Sequence, residues 1–144
     1  MNRVILVTGG FDPIHGGHIK YIRSAKKIDP PSPLCVGLNS DDWLIRKKGK
    51  YFMDFDERKE VVSGMKDVDV VIPFIDNDES ACDAIDMCLQ IYDLVIFANG
   101  GDRGDYNTPE FDKFRHDYRV HFRWKVGGED KHNSSSEILK RWST

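Results

Sequence analysis

An apolar run at the start of the chain leads directly into a glycine-rich turn, and this junction constrains the fold more than any other feature. Residues 4–7 read Val-Ile-Leu-Val, and residues 9–18 read Gly-Gly-Phe-Asp-Pro-Ile-His-Gly-Gly-His. Beyond the turn, apolar residues recur every three positions, at Ile19, Ile22, Ala25 and Ile28. That spacing predicts one apolar stripe along an α-helix. The chain therefore begins with a strand, a tight turn and a helix.

The rest of the chain repeats this alternation of apolar runs and helical patterns. Strands are predicted at Val4–Val7, Leu34–Leu38, Val68–Pro73, Leu94–Ala98 and Val120–Trp124. Helices are predicted at Gly17–Ile28, Phe55–Met65, Glu79–Gln90, Pro109–Asp117 and Ser135–Trp142, and the acidic run at 76–79 is expected to cap the third of them. Such alternation indicates a Rossmann-like α/β fold, a parallel sheet of about five strands with helices on both faces. We expect one domain over residues 1–144.

Composition excludes several classes of function. The net charge is only −3 and no dense basic block exists, so we expect no nucleic-acid partner. No apolar stretch approaches membrane-spanning length, and the N-terminus lacks a signal-peptide pattern. Cys35, Cys82 and Cys88 show neither metal nor disulfide spacing. These features favour a cytoplasmic protein without a membrane partner.

The glycine-rich turn has the chemistry of a phosphate site. Backbone N–H groups in the turn and at the helix N-terminus carry partial positive charge, and glycine lets phosphates approach the backbone. His15 and His18 add two further donors at the same place. Because both side chains would face the cleft, replacing them should change folding little. The alternative interpretation is a surface turn with a solvated or metal-binding histidine pair.

Six residues of the turn form a longer pattern, Gly-x-Phe-Asp-x-x-His-x-Gly-His, at Gly9, Phe11, Asp12, His15, Gly17 and His18. The pattern resembles the signature of the nucleotidyltransferase superfamily, which includes cytidylyltransferases and the pantetheine-phosphate and heptose-phosphate adenylyltransferases. The resemblance implies that His15 and His18 contact a triphosphate and stabilise the transition state, and that Gly9, Gly10 and Phe11 line the nucleotide. Many relatives carry Thr or Ser in place of Gly10. Asp12 is expected to order the turn or the acceptor side.

Two stretches extend the resemblance. Asn39-Ser40-Asp41 followed by Lys48-Gly49 resembles the heptose-phosphate adenylyltransferases, which implies a phosphate-contacting lysine on the loop after the second strand. Lys48 is preferred over Lys47, and a solvated lysine is the alternative. Arg58, followed by Val-Asp-Val-Val-Ile-Pro at 68–73, resembles the glycerol-phosphate cytidylyltransferases as well. This implies an acceptor-binding or interface role for Arg58 and a homodimer, against an ordinary surface ion pair.

Two further loops are implicated by resemblance. Gly101, Asp102 and Arg103 lie in a segment that sits near the base and ribose in relatives, although Arg103 could also hold pyrophosphate or the acceptor phosphate, or lie on the surface. Ser134, Ser135 and Ser136 resemble the C-terminal hydroxyl motif that suits β- and γ-phosphate oxygens, against an ordinary N-cap. Relatives carry an arginine shortly before it, which Lys131 or His132 could replace here.

The implied reaction joins a nucleoside monophosphate from ATP to a phosphorylated sugar or polyol and releases pyrophosphate. Mg²⁺ is expected with the triphosphate, held mostly by phosphate oxygens and water, and no metal ligand is assigned to the protein. The loop resemblances favour ATP. The alternatives are a CTP-dependent enzyme of the glycerol-phosphate type and a non-catalytic nucleotide-binding domain of the same fold.

Overall fold

Five parallel strands form one sheet in the computed structural model, which describes residues 2–100, 107–128 and 135–143. The strands are β1 (Arg3–Gly9), β2 (Leu34–Leu38), β3 (Val70–Pro73), β4 (Leu94–Gly100) and β5 (Val120–Val126). They lie in the order β3-β2-β1-β4-β5, and every neighbouring pair is parallel. The predicted parallel sheet of about five strands is confirmed.

Six helices are described: α1 (Gly16–Lys26), α2 (Asp41–Lys48), α3 (Phe55–Ser63), α4 (Cys82–Leu89), α5 (Pro109–Phe114) and α6 (Ser135–Ser143). Five of them match predicted helices. Helix α2 was expected to be a loop, and that expectation is wrong. The Ser40 hydroxyl accepts from the Trp43 N–H at the helix start, and Gly49 ends the helix at φ 87°.

Alternate residues of β1 supply two separate cores, one on each face of the sheet. Val4 and Leu6 pack with buried residues of α4, among them Ile85, whereas Ile5 and Val7 pack with Ile22 of α1. This alternation follows from the two-residue period of a strand. Both faces are covered by helices, as a parallel sheet requires.

The acidic run at 76–79 has a different role from the one that the sequence suggested. Helix α4 begins at Cys82, and its N-cap, Ala81, makes no side-chain capping bond. Asp76 instead is buried and accepts from the Nδ2 of Asn39, while Glu79 pairs with Arg46 at 2.6 Å. The run therefore ties α2 to the segment after β3 and does not cap α4.

The order of the strands fixes where a ligand can bind. The chain proceeds from β1 to β2 and β3 in one direction, and it then returns to place β4 on the other side of β1. In open α/β sheets, ligands bind beyond the carboxyl ends of the strands at such a reversal. The crevice therefore opens between the ends of β1 and β4. Over the described residues, no helix combines the length and apolar character that crossing a membrane needs.

Candidate functional site

The two histidines cap α1 reciprocally. His15 is the N-cap, and its Nδ1 accepts a hydrogen bond from the Gly17 N–H at 3.0 Å. The Nδ1 of His18 accepts from the His15 N–H at 3.1 Å. The two ring centroids lie 3.9 Å apart. In the usual capping box, a Ser or Thr and a Glu or Gln make this pair of bonds. The expectation that replacing the histidines would change folding little stays a prediction, and the two capping bonds add a contribution of these side chains to the helix end.

The cap fixes which ring nitrogen can donate. Because the Nδ1 atoms of His15 and His18 both accept, the hydrogen of each neutral ring lies on Nε2. In each ring Nε2 is separated from the accepting Nδ1 by Cε1 and takes no part in the two capping bonds. Two Nε2–H donors thus stand beside the positive end of the α1 dipole, which is a favourable arrangement for phosphate.

Gly17 is required by the same geometry. A Cβ atom at this position would lie 2.8 Å from Cε1 of His15. Any other residue would push the His15 ring out of its capping position. The glycine between the two histidines therefore allows both rings to bond the backbone at once.

Phe11 supports the histidine pair from the protein interior. Its side chain is buried, and its ring meets the His18 ring edge-on with centroids 4.9 Å apart.

The two glycines before Phe11 are closely packed. A Cβ at Gly9 would lie 3.2 Å from the Phe11 ring, and one at Gly10 would lie 2.9 Å from Cδ2 of Leu44. The close packing of α2 against the turn explains why this chain has glycine where relatives carry Thr or Ser.

Asp12 holds a neighbouring segment against the turn. It is 2% exposed, and its two carboxylate oxygens accept from the backbone N–H groups of Phe52, at 2.6 Å, and Met53, at 2.8 Å. Both oxygens are thus engaged by protein donors. The role predicted for Asp12, ordering the turn or the acceptor side, remains a prediction, and these bonds support its first alternative.

Lys48 approaches the turn from the end of α2. Its ammonium donates to the carbonyl oxygen of Asp12 at 3.0 Å, whereas Lys47 lies over the Trp43 ring, 4.6 Å from its centroid. Burial lowers the pKa of the Lys48 ammonium, and the negative charge of Asp12 opposes this shift. Of the two lysines considered from the sequence, the structure therefore brings Lys48 to the turn.

Arg58 lies wholly inside the chain. Its guanidinium donates to the carbonyl oxygens of Gly10, Asn39 and Met53 at 2.8–3.0 Å and to the Asp41 carboxylate at 2.7 Å. The side chain has no solvent exposure and its guanidinium bonds only to groups of this chain among the contacts above, so these contacts support a structural role, and the acceptor-binding or interface role stays a prediction. Arg58 is a positioning residue that joins the signature turn to the ends of β2 and the segment before α3.

The C-terminal helix also reaches the turn. Ser135, the first residue of α6, is buried, and its hydroxyl donates to the carbonyl oxygen of Pro13 at 2.8 Å. Ser136 is exposed. Gly101, Asp102, Arg103 and Ser134, which were predicted to bind the nucleotide, lie outside the described residues, as do Lys131 and His132.

Sequence reasoning missed the contribution of Asp76. Its carboxylate accepts from the Nδ2 of Asn39 and from both the backbone N–H and the hydroxyl of Ser40. These contacts fix the start of α2, and hence the position of Lys48 at its other end. No local pattern marks Asp76 for this role, because its partners lie 36 and 37 residues earlier in the chain.

Comparisons with known proteins find similar sequences and folds. The chain is 35% identical over 77 residues to the bifunctional protein HldE of Shewanella sediminis, a match that covers 52% of this chain and 16% of that protein. It is 38% identical over 74 residues to the HldE protein of Shewanella amazonensis, covering 50% and 15%. This chain thus spans about one sixth of the length of these curated relatives.

Two solved structures share the fold. A lipopolysaccharide core biosynthesis protein from Thermoplasma volcanium superposes with a TM-score of 0.62 and 26% identity, covering 86% of this chain and 93% of that one. A macrolide-efflux protein from Streptococcus pneumoniae superposes with a TM-score of 0.59 at 20% identity, covering 96% and 50%, and shows the fold alone. The family model described as cytidylyltransferase-like matches residues 6–141, nearly the whole chain, and this range includes the turn at 9–18, Lys48, Arg58 and Ser135. The chain belongs to the cytidylyltransferase-like family.

Proposed function

We propose that this chain is a nucleotidyltransferase that joins a nucleoside monophosphate from ATP to a phosphorylated sugar or polyol and releases pyrophosphate. The observation that carries the proposal is the reciprocal cap of His15 and His18. It leaves the hydrogen of each neutral ring on Nε2, at a helix N-terminus beside a glycine-rich turn. Family membership supports the same reaction class.

In this reaction, an oxygen of the acceptor phosphate forms a bond to the α-phosphorus of the triphosphate. The bond from that phosphorus to the bridging oxygen breaks, and pyrophosphate leaves with the electron pair. A phosphate monoester is already ionised near neutral pH, its second pKa being about 6, so no general base is needed. The protein must align two anions and stabilise the charge that develops on the transferred and leaving groups. His15, His18 and Lys48 supply donors and positive charge for that purpose.

We propose that Mg²⁺ accompanies the triphosphate. The acidic side chain in the signature turn, Asp12, already gives both oxygens to backbone N–H groups, so its contacts suit a structural role better than metal ligation. Phosphate oxygens and water would then hold the ion. Its chemistry would be to neutralise charge on the phosphates.

The choice of ATP rests on the Asn-Ser-Asp, Lys-Gly and Gly-Gly-Asp resemblances, and the family description keeps CTP as the second candidate. A sugar acceptor is supported by the fold neighbour that is named a lipopolysaccharide core biosynthesis protein.

The test pairs ATP and CTP with a panel of sugar and polyol phosphates, with Mg²⁺ present, and measures pyrophosphate release through inorganic pyrophosphatase. Turnover with CTP and none with ATP would replace the adenylyl proposal by the cytidylyl one.

The histidine pair allows a sharp version of this assay. Asn retains an acceptor close to the position of Nδ1 but lacks Nε2, so His15→Asn and His18→Asn should keep the cap and lose the phosphate donor. We expect kcat to fall by about 10²–10³, the usual cost of losing one preorganised donor. His116→Ala, in the exposed turn after α5, is the control and should be unchanged. Nucleotide binding without turnover for any acceptor would favour a non-catalytic binding domain.

A further inference from the structure

Asn99 has an unusual environment at the carboxyl end of β4. Its side chain is 2% exposed, yet its Nδ2 is the one fully buried side-chain nitrogen or oxygen without a hydrogen-bond partner in the described part of the chain. A buried donor left unpaired costs about 1–3 kcal/mol. Native proteins rarely keep such a group without a reason, and a site awaiting a ligand is one such reason.

The strand opposite Asn99 is irregular at the same level. Ala98 pairs with Arg123 and Gly100 pairs with Val126, so two residues of β5 stand opposite Asn99 alone. Lys125, one of those two, has φ 56°, a backbone conformation that costs energy for a side chain of this kind. The extra residue makes a bulge-like irregularity in this parallel pair, where such features are rare, and bulges are over-represented next to active sites.

The position of Asn99 matches the crevice. It follows Ala98 in β4, the strand that lies beside β1 at the reversal of strand order, where ligands of open α/β sheets bind. The Ala98 carbonyl is bonded by the hydroxyl of Tyr21 from α1, which ties this part of β4 to the helix that carries the histidines. The unpaired donor and the bulge therefore coincide at the edge of the candidate site.

We propose that Asn99 is a substrate-recognition residue whose Nδ2–H donates to an uncharged acceptor atom of a bound substrate. This inference rests on the proposed function. An amide is neutral, so it suits a hydroxyl, a carbonyl oxygen or a ring nitrogen better than a phosphate. Such atoms occur on the nucleoside and on the sugar or polyol of the acceptor. A buried donor of this kind favours a substrate that supplies the hydrogen bond over an analogue that lacks it.

Asn39 provides a matched control. It is also a buried asparagine at the carboxyl end of a strand of the same sheet, directly after β2, but its Nδ2 donates to Asp76 at 3.1 Å. Leu resembles Asn in shape and cannot form hydrogen bonds, and Ala removes the amide without adding bulk. We compare Asn99→Leu and Asn99→Ala with Asn39→Leu and Asn39→Ala in thermal unfolding without substrate. Loss of the Asn39 bond should lower Tm by about 3 °C or more, whereas the Asn99 variants should match or exceed wild type.

The second measurement identifies the substrate. Dissociation constants for ATP and CTP are measured by calorimetry, and KM for the acceptor is measured at saturating nucleotide. We expect the Asn99 variants to raise one of these constants about tenfold while wild-type Tm is retained. A rise in the nucleotide constant places the contact on the nucleoside, and a rise in the acceptor KM places it on the acceptor.

Two results would overturn the inference. One is a fall in the Tm of the Asn99 variants equal to that of the Asn39 variants, which would give Asn99 a structural role. The other is unchanged affinity for both substrates. Failure of the proposed function would appear in the wild type itself, as neither nucleotide binding nor turnover, and the inference on Asn99 would fall with it.

Discussion

The two sides of the candidate crevice differ in how their buried polar groups are satisfied. On the β1–β2 side, Asp12, Arg58 and Asp76, which we call the polar clamp, bond to protein groups at almost every available atom. On the β4 side, Asn99 keeps an unpaired donor. Under the proposed function, the β1–β2 side would be organised before substrate arrives, and the β4 side would complete its hydrogen bonds when substrate binds.

The polar clamp consists of buried charged groups, and this explains why nearly all of their hydrogen bonds must be made. A buried charge costs several kcal/mol unless hydrogen bonds and an opposite charge compensate for it. Arg58 meets this condition with three carbonyl oxygens and the Asp41 carboxylate. A neutral amide such as Asn99 costs far less when it is unpaired, so the protein can leave it for a ligand.

Breaking the clamp at Arg58 should have the largest effect. Arg58→Met removes four hydrogen bonds and leaves the partly buried Asp41 carboxylate without its cation, which should lower the free energy of unfolding by about 3–5 kcal/mol. Arg58→Lys should recover only part of this, because a lysine cannot reproduce the guanidinium fork. Urea unfolding measures the free energy of unfolding of both variants.

The control is Lys59→Met, an exposed neighbour on the same helix, which should change stability by less than about 0.5 kcal/mol. A cost below about 1 kcal/mol for Arg58→Met would show that the clamp is dispensable and would remove the contrast between the two sides.

Asp12→Asn tests one contact of the clamp without changing its shape. An Asn side chain has one acceptor oxygen, so either the Phe52 or the Met53 N–H would face an NH₂ group. We expect a loss of about 1–3 kcal/mol in unfolding free energy. Faster hydrogen exchange should be confined to those two amides and their neighbours. Asp42→Asn, at an exposed position of α2, is the control, and equal losses in the two variants would contradict the assignment.

The cap on α1 predicts a smaller effect on stability. His15→Ala removes the acceptor for the Gly17 N–H and should lower stability by about 1 kcal/mol, whereas His15→Asn retains an acceptor and should stay near wild type. Both variants should lose activity. Chemical denaturation of the two variants side by side separates the cap from the catalytic role, and equal stability in both would show that the cap contributes nothing.

The sequence predicted features that depend on local periodicity. Each strand is marked by a short apolar run, and the turn at 9–18 is marked by its own residues, so the sheet and the place of the histidines were predicted correctly. Helix α2 was missed because its basic run was interpreted as a loop, although Ser40 and Gly49 are typical residues for the start and the end of a helix. The burial of Arg58 could not be predicted, since its partners at Gly10 and Asn39 lie 48 and 19 residues away.

The smallest predicted effect is a pH dependence that arises from Lys48, whose ammonium donates to the carbonyl oxygen of Asp12 in the clamp. Burial lowers the pKa of Lys48, so in the folded protein it loses its proton at a lower pH than an ordinary lysine. The charge that would bind phosphate is therefore present at low pH and lost as pH rises through the folded pKa. Any contribution of this group to folding has the opposite trend, because the unfolded chain holds the proton more tightly and stability rises with pH between the two pKa values.

Lys48→Arg keeps a positive charge at this position but removes its titration from the pH range of the assay. Arginine stays protonated at every pH of the assay, so the alkaline fall in kcat/KM should move to higher pH than in wild type. Lys47→Arg, at the exposed neighbour, should leave the profile unchanged. Identical alkaline limbs for wild type and Lys48→Arg would mean that another group sets the limb. The role of Lys48 would then be structural: it would hold the signature turn in place through its hydrogen bond to the carbonyl oxygen of Asp12.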